Sequence, residues 1–309
     1  MKTRISAFIN SQRKKVKRFF KGKKKFSFKT QLGHEWLFEE RSFSYISRNL
    51  ASESTDYQTS LFYEFAKYQK IKGKRVLEIG SDGNLNTARM FMEHGAKEVH
   101  ACNLQDIFTR SKASDSIYLH VGDAGNLDLG SEAFDIIYGI ALLEHVPEYE
   151  PLSKTIARLL SFDGVAYLHG DPLWTGPLGH HVYCVSDDET GNVKYRFNDS
   201  ALNPIPDWAH LTMSPAALLD YLESKGLPLT DAKEIVEFVY GLDSNAIGDC
   251  SNQKSAREVQ AAFTSLFDLV AFIGIHEGEK NQFFYEALRE YSEDDLLAKG
   301  MTLWLRHKK

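Results

Sequence analysis

Short apolar runs alternate with helical patterns through the middle of the chain. The run R-V-L-E-I at 75–79 is typical of a buried strand, and it ends at Gly80, where G-S-D-G-N indicates a turn. Residues 85–95 then have helical spacing that stops at Gly95. Further strands are predicted at 98–104, 117–121, 134–140 and 165–169, with a helix at 148–161. This alternation predicts a mostly parallel sheet that binds ligands beyond the carboxyl ends of its strands.

The second half of the chain continues with helical patterns and one late strand. A helix at 214–225 would have Ser214 as its cap and Pro215 in its first turn. Further helices are predicted at 255–272 and 283–290, and a strand at 300–306. This last strand would close the sheet that begins near residue 75.

The turn after the first of these strands is a candidate for binding chemistry. Gly80 and Gly83 let the backbone approach a ligand closely, and the following helix offers free N–H groups. Such a turn serves dinucleotides and S-adenosylmethionine alike. The sequence G-x-G-x-x-G would favour a dinucleotide, but position 82 is Asp and position 85 is Leu.

Motifs at the ends of several strands occur together between residues 60 and 170. Glu78 lies in the first strand before a G-x-x-G turn, V-G-D-A occupies 121–124, and the stretch at 127–146 ends in L-E-H-V. As a set, these motifs resemble class I S-adenosylmethionine-dependent methyltransferases of the type-11-like kind, including sugar and polysaccharide O-methyltransferases. The resemblance implies a Rossmann-like α/β fold with a mostly parallel seven-stranded sheet, helices on both faces and C-terminal insertions.

The resemblance also implies a set of contacts to S-adenosylmethionine. The assigned residues are Glu78, Gly80, Ser81 and Asp82 at the methionine end, Asn103 at the ribose, and Asp123 with Ala124 at the adenine. Two positions depart from the family pattern. Asn103 replaces the acidic residue that grips both ribose hydroxyls, so it offers a hydrogen bond without a charge; either cofactor affinity is weakened or Asp106 compensates. Asn84 replaces the third glycine, and Asn tolerates the left-handed region better than most residues.

Polar side chains after the fifth strand are candidates for the acceptor site. The stretch at 169–183 reads H-G-D-P-L-W-T-G-P-L-G-H-H-V-Y. A hydroxyl acceptor has to lose its proton, and histidine is the natural base near neutral pH. We expect His180 or His181 to be this base and Asp171 to orient it or bind the acceptor. Trp174 would form an apolar or sugar-stacking wall.

The same stretch has two other interpretations. Suitable ligands for a divalent ion are His169, Asp171, His180 and His181. Adjacent histidines rarely both bind one ion, so we predict no metal. Alternatively, the loop histidines only form hydrogen bonds to backbone groups. Glu144 and His145, which follow the fourth strand, are expected to be architectural.

Charge divides the chain into a basic arm and an acidic body. Of the 37 Lys and Arg residues, eleven lie within 1–25, where there is no acidic residue, so 26 remain against 42 acidic residues. We expect a basic arm at 1–30 and a methyltransferase domain at 31–309, in which insertions at 171–213 and 240–295 build the acceptor site. Three separated cysteines without C-x-x-C fit a reducing compartment.

The arm has apolar residues at helical spacing. They are Ile5, Phe8, Ile9, Val16, Phe19 and Phe20. This pattern is typical of a basic interfacial helix that binds an anionic membrane surface; a solvated or partner-bound tail is the alternative. We expect a cytoplasmic protein that the arm would attach to the inner face of a membrane.

These observations predict an O-methyltransferase of a sugar or glycan-linked hydroxyl. One alternative is an RNA methyltransferase that uses the arm, although the body is acidic and residues 138–141 read Y-G-I-A instead of the N-P-P-Y of adenine-amino methyltransferases. The other is a catalytically silent scaffold in which Asn103 marks the loss of cofactor binding.

Overall fold

The structure, a computed structural model, describes residues 25–29, 35–39, 54–108, 116–185, 193–241 and 251–308. The chain divides into two compact units, residues 1–69 with 309, and residues 70–308. In the first unit, β1 (Lys25–Lys29) pairs antiparallel with β2 (Glu35–Glu39), and α1 spans Ser54–Tyr68. The last residues of the predicted arm therefore form a strand, and its amphipathic positions 5–20 lie outside the described residues.

The second unit contains a seven-stranded sheet and a separate two-stranded one. The strands in chain order are β3 (Arg75–Ile79), β4 (Glu98–Asn103), β5 (Ile117–Val121), β6 (Phe134–Gly139), β7 (Leu160–Gly170), β8 (Tyr183–Val185), β9 (Val193–Arg196), β10 (Phe267–Ile275) and β11 (Ala298–His307). The spatial order of the large sheet is β10-β11-β7-β6-β3-β4-β5, and β11 runs in the opposite direction to the other six strands. The predicted Rossmann-like, mostly parallel seven-stranded fold is confirmed.

The helices of the second unit connect and follow these strands. They are α2 (Asn86–Glu93), α3 (Tyr149–Leu159), α4 (Ala209–Thr212), α5 (Pro215–Ser224), α6 (Leu229–Tyr240), α7 (Ala256–Thr264), α8 (Gln282–Ala287) and α9 (Glu293–Leu297), with a 3₁₀ turn at Ala124–Asn126. The predicted start of α5 is confirmed, since the Ser214 side chain accepts a hydrogen bond from Ala217 N and Pro215 is the first helical residue. Within the described part of the chain, no helix is long and apolar enough to cross a membrane.

Among the described residues, buried side chains of this unit form at least three clusters. The largest joins the sheet to α3 and α7, through residues such as Ile137, Ile156 and Phe263. A second core lies among α4, α5, α6 and the segment after β7, and it includes Trp174. Trp174 is only 5% exposed, so it does not form the open stacking wall that we expected. The third cluster contains Trp208, which packs with Phe284 of α8 and Leu296 of α9.

Two local predictions are wrong. The predicted helix at 255–272 ends at Thr264, and β10 follows because F-D-L-V-A-F-I-G-I is rich in strand-forming residues and pairs with β11. The expected insertion at 240–295 therefore contains an outer strand of the main sheet. In the turn after β3, the left-handed residue is Leu85 (φ 58°), rather than Asn84. Leu85 is completely buried, and this burial offsets the strain of its backbone.

Candidate functional site

The turn after β3 has a buried acid and an open glycine. Glu78 accepts a hydrogen bond from Ser81 Oγ at 2.9 Å, and burial raises the pKa of its carboxyl to about 8. Gly80 is exposed and has a φ of +78°, which a side chain would disfavour. Asp82 shapes the turn, because its carboxylate accepts hydrogen bonds from the backbone N–H groups of Asn84 and Asn86 at 2.7 and 3.1 Å.

The ends of β3 and β4 are tied together by Asn103. Its Nδ2 donates to Ser81 O at 2.9 Å, and its Oδ1 accepts from Gln105 N at 2.9 Å. The amide therefore positions both turns, and Oδ1 keeps one lone pair for a ribose hydroxyl. Gly83 packs so closely on the β4 loop that an added Cβ would lie 2.9 Å from Ile107 O.

The turn after β5 presents an exposed carboxylate. Asp123 Oδ1 accepts from Gly125 N at 2.8 Å, and Oδ2 accepts from Asn126 Nδ2 at 2.7 Å. These bonds hold the 3₁₀ turn and leave the outer lone pairs of Asp123 open, while the adjacent Ala124 is half-buried. Two side chains that the sequence analysis did not select, Leu104 and Ile107, are 50% and 36% exposed on the β4 loop.

The loops after β6 and β7 bring a second set of polar side chains together. Leu142 connects the two regions, since a Cβ added at Gly80 would lie 3.7 Å from its Cδ1. One ligand-capable atom each from Glu144, His145 and His181 lies within 4.8 Å of the other two. Asp171 adjoins this group, because its backbone N–H donates to Glu144 Oε1 at 3.4 Å.

The two adjacent histidines lie in different environments. His180 is completely buried; its Nδ1 accepts from Val182 N at 3.2 Å, and its ring lies 5.5 Å from that of His210. Burial holds the pKa of His180 well below its usual range. His181 is half-buried in a left-handed conformation (φ 52°), and its ring lies 5.0 Å from that of His145. Of the two candidate bases, only His181 therefore lies with the other polar side chains.

Burial also shifts the protonation of the remaining groups. It raises the pKa of Glu144 to about 8 and that of Asp171 to about 6, and it lowers the pKa of His181 to about 3. His169, a ligand in the alternative metal set, is instead engaged through Nδ1 with Thr302 Oγ1 at 2.7 Å. The four ligands of that alternative set are thus not brought together.

Asn252, which belongs to none of the sequence motifs, holds the loop after β6. Its Nδ2 lies 2.7 Å from both Leu143 O and Val146 O, and its backbone N–H donates to Glu144 O at 2.7 Å. The hydroxyl of Tyr149 also donates to Leu143 O. Because more than 100 residues separate Asn252 from Leu143, no local pattern could have revealed this contact.

We expect Asn252→Ala to lower the free energy of unfolding by about 2–3 kcal/mol, because Val146 O loses its donor and Leu143 O keeps only the Tyr149 hydroxyl. Urea denaturation would measure the change. Asn203→Ala is the control, since Asn203 Oδ1 makes a local bond to Ile205 N at 3.1 Å. A loss no greater than that of the control would contradict the proposed role of Asn252.

The central segment of the chain matches a known protein family. Residues 77–168 match the family model described as a methyltransferase domain. This segment is a methyltransferase domain. Its cofactor is S-adenosylmethionine, and the turns after β3, β4 and β5 fit that group: the first has a buried acid beside an open glycine, the second has exposed apolar side chains, and the third has an exposed carboxylate.

Solved structures resemble the chain containing this methyltransferase domain at low identity. An S-adenosylmethionine-dependent methyltransferase from Mesorhizobium loti is 18% identical, with a TM-score of 0.45 over 82% of this chain and 98% of that one. Phosphoethanolamine N-methyltransferase 2 from Haemonchus contortus, solved with S-adenosyl-L-methionine, is 9% identical, with a TM-score of 0.44 over 96% of this chain and 74% of that one. No curated protein matches the chain in sequence.

The methyltransferase domain offers a direct test of the Glu78 assignment. We expect Glu78→Gln to weaken S-adenosylmethionine binding by about ten- to hundredfold, because a hydrogen bond to a charged group contributes about 1.5–3 kcal/mol. Titration calorimetry measures the dissociation constant, with thermal unfolding as the check on folding. Unchanged affinity in a folded variant would remove Glu78 from the cofactor site.

Proposed function

We propose that the chain is an O-methyltransferase that methylates a hydroxyl group of a sugar or glycan. The observation that supports a hydroxyl acceptor is the group of titratable side chains formed by Glu144, His145, Asp171 and His181 beside the cofactor turn. Methylation of a hydroxyl needs such a group, because the attacking oxygen must lose its proton.

When bound, S-adenosylmethionine supplies an electrophilic methyl group, which an acceptor attacks in line. The acceptor oxygen forms the new bond to the methyl carbon, while the bond to sulfur breaks and its electron pair stays on sulfur. In this proposal His181 accepts the hydroxyl proton, and Asp171 binds the acceptor or orients the base. The burial of His180 favours His181 over its neighbour for this role.

The sugar or glycan class rests on the sequence motifs and on the size of the segment after β7. In its described residues this segment carries β8, β9 and four helices before β10, and it builds a second core that includes Trp174 and Val182. We further propose that residues 1–25 hold the enzyme at an anionic membrane, where glycan-linked acceptors are assembled.

The test is methyl transfer from labelled S-adenosylmethionine to separated cell fractions. We expect label in polysaccharide or glycolipid fractions, and its removal by glycosidase treatment. Label in RNA that disappears after deletion of residues 1–25 would support the RNA methyltransferase instead. Intact protein that does not bind S-adenosylmethionine would support the silent scaffold.

A further inference from the structure

The group after β6 and β7 contains a carboxylate that lacks a compensating charge. Glu144 is completely buried, and no salt bridge to it occurs among the described residues. The backbone N–H groups of Glu144 itself and of Asp171 donate to its carboxyl group, the latter at 3.4 Å to Oε1, whereas Oε2 has no hydrogen-bond partner in the described part of the chain. A buried carboxylate in this state is costly unless a cation or a donor binds it.

His181 also has a buried polar atom, Nδ1, without a hydrogen-bond partner among the described residues. A ligand-capable atom of His145 completes a group in which all three atoms lie within 4.8 Å of one another. Two imidazole nitrogens and one carboxylate oxygen form a donor set that divalent first-row metals bind, with coordination positions left open.

The backbone holds these side chains in place. Asn252 fixes the loop that carries Glu144 and His145, and Leu142 N and Leu143 N both donate to His169 O, at 3.0 and 3.3 Å. Gly170 leaves space for the carboxylate, since an added Cβ would lie 2.7 Å from Glu144 Oε2. His181 adopts a left-handed conformation that is unfavourable without a compensating interaction.

We propose that Glu144, His145 and His181 bind a divalent transition-metal ion such as Zn²⁺, with open coordination positions for the acceptor. The assignment of the open positions rests on the proposed function, whereas binding of the ion does not. A ring nitrogen of His181 that binds the ion cannot also accept the acceptor proton, so His181 is a metal ligand when the ion is bound and the proposed base when it is not. This differs from our expectation that the protein binds no metal and that Glu144 and His145 are architectural.

The test measures metal binding by the full chain, without cofactor or acceptor. After treatment with a chelator and dialysis, the protein is titrated with Zn²⁺ by calorimetry, and Co²⁺ is added separately for its visible absorption spectrum. We expect one ion per chain and an affinity at least about a hundredfold lower in Glu144→Gln and His145→Ala. The bound ion should also raise the melting temperature of the wild type.

A second histidine pair provides the matched control. His100 Nδ1 and His120 Nε2 lie 2.9 Å apart on neighbouring strands and form the alternative two-histidine site. We expect His120→Ala to bind Zn²⁺ as the wild type does. Loss of binding only in His120→Ala, or equal binding by wild type and both ligand variants, would overturn the proposal. Absence of a bound ion from the wild type would also overturn it, while methyl transfer that continues in chelator would leave the proposed function intact.

Discussion

Replacing His181 with alanine is expected to lower kcat by about 10²- to 10⁴-fold, the usual contribution of a positioned acid–base group. His181 is the one of the two adjacent histidines that lies beside Glu144 and His145. The loss should fall mainly on kcat, because the cofactor turns after β3, β4 and β5 are unchanged. Initial rates with labelled S-adenosylmethionine would measure it, and calorimetry would confirm that the cofactor still binds.

Two further variants separate chemistry from conformation. Asn tolerates the left-handed backbone of residue 181, so His181→Asn should keep the fold and still lack activity. His180→Asn keeps an acceptor for Val182 N, and we expect reduced stability with kcat within about threefold of the wild type. Full activity in His181→Asn would show that residue 181 acts only through its backbone.

The order of strands could be predicted from the sequence because each strand is a short apolar run between turn signals. The strands 75–79 and 117–121 have the bounds that the pattern predicted. The pattern failed at 255–272, where no glycine or proline separates α7 from β10. Helical and strand periodicities are difficult to distinguish over such short runs, so the pairing of β10 with β11 decides the outcome.

The candidate site could be predicted only in part. The resemblance of the strand-end motifs selected Glu78 and Asp123, and the structure places both at the carboxyl ends of parallel strands, where ligands bind in such sheets. Sequence could not distinguish His180 from His181, since their different environments depend on the left-handed backbone of His181 and on the core around His210. It also could not show that Glu144 is buried without a compensating charge.

The second large effect is expected from Gly300→Ala, which would displace Asp171. Gly300 lies in β11, and a Cβ added there would lie 2.6 Å from Asp171 Cβ and 2.7 Å from its Cγ. Because Cβ is attached directly to the backbone, Asp171 cannot avoid the new methyl group by rotation alone. We expect the free energy of unfolding to fall by about 1–3 kcal/mol and kcat to fall by about a hundredfold.

Gly274 is the matched control, because it pairs with Gly300 in the neighbouring strand. A Cβ added at Gly274 meets nothing closer than 3.8 Å, so Gly274→Ala should change stability and kcat little. Both variants place one methyl group at the same level of the sheet, and only Gly300→Ala reaches Asp171. Equal kcat in the two variants, with S-adenosylmethionine bound normally, would show that the position of Asp171 does not matter for methyl transfer.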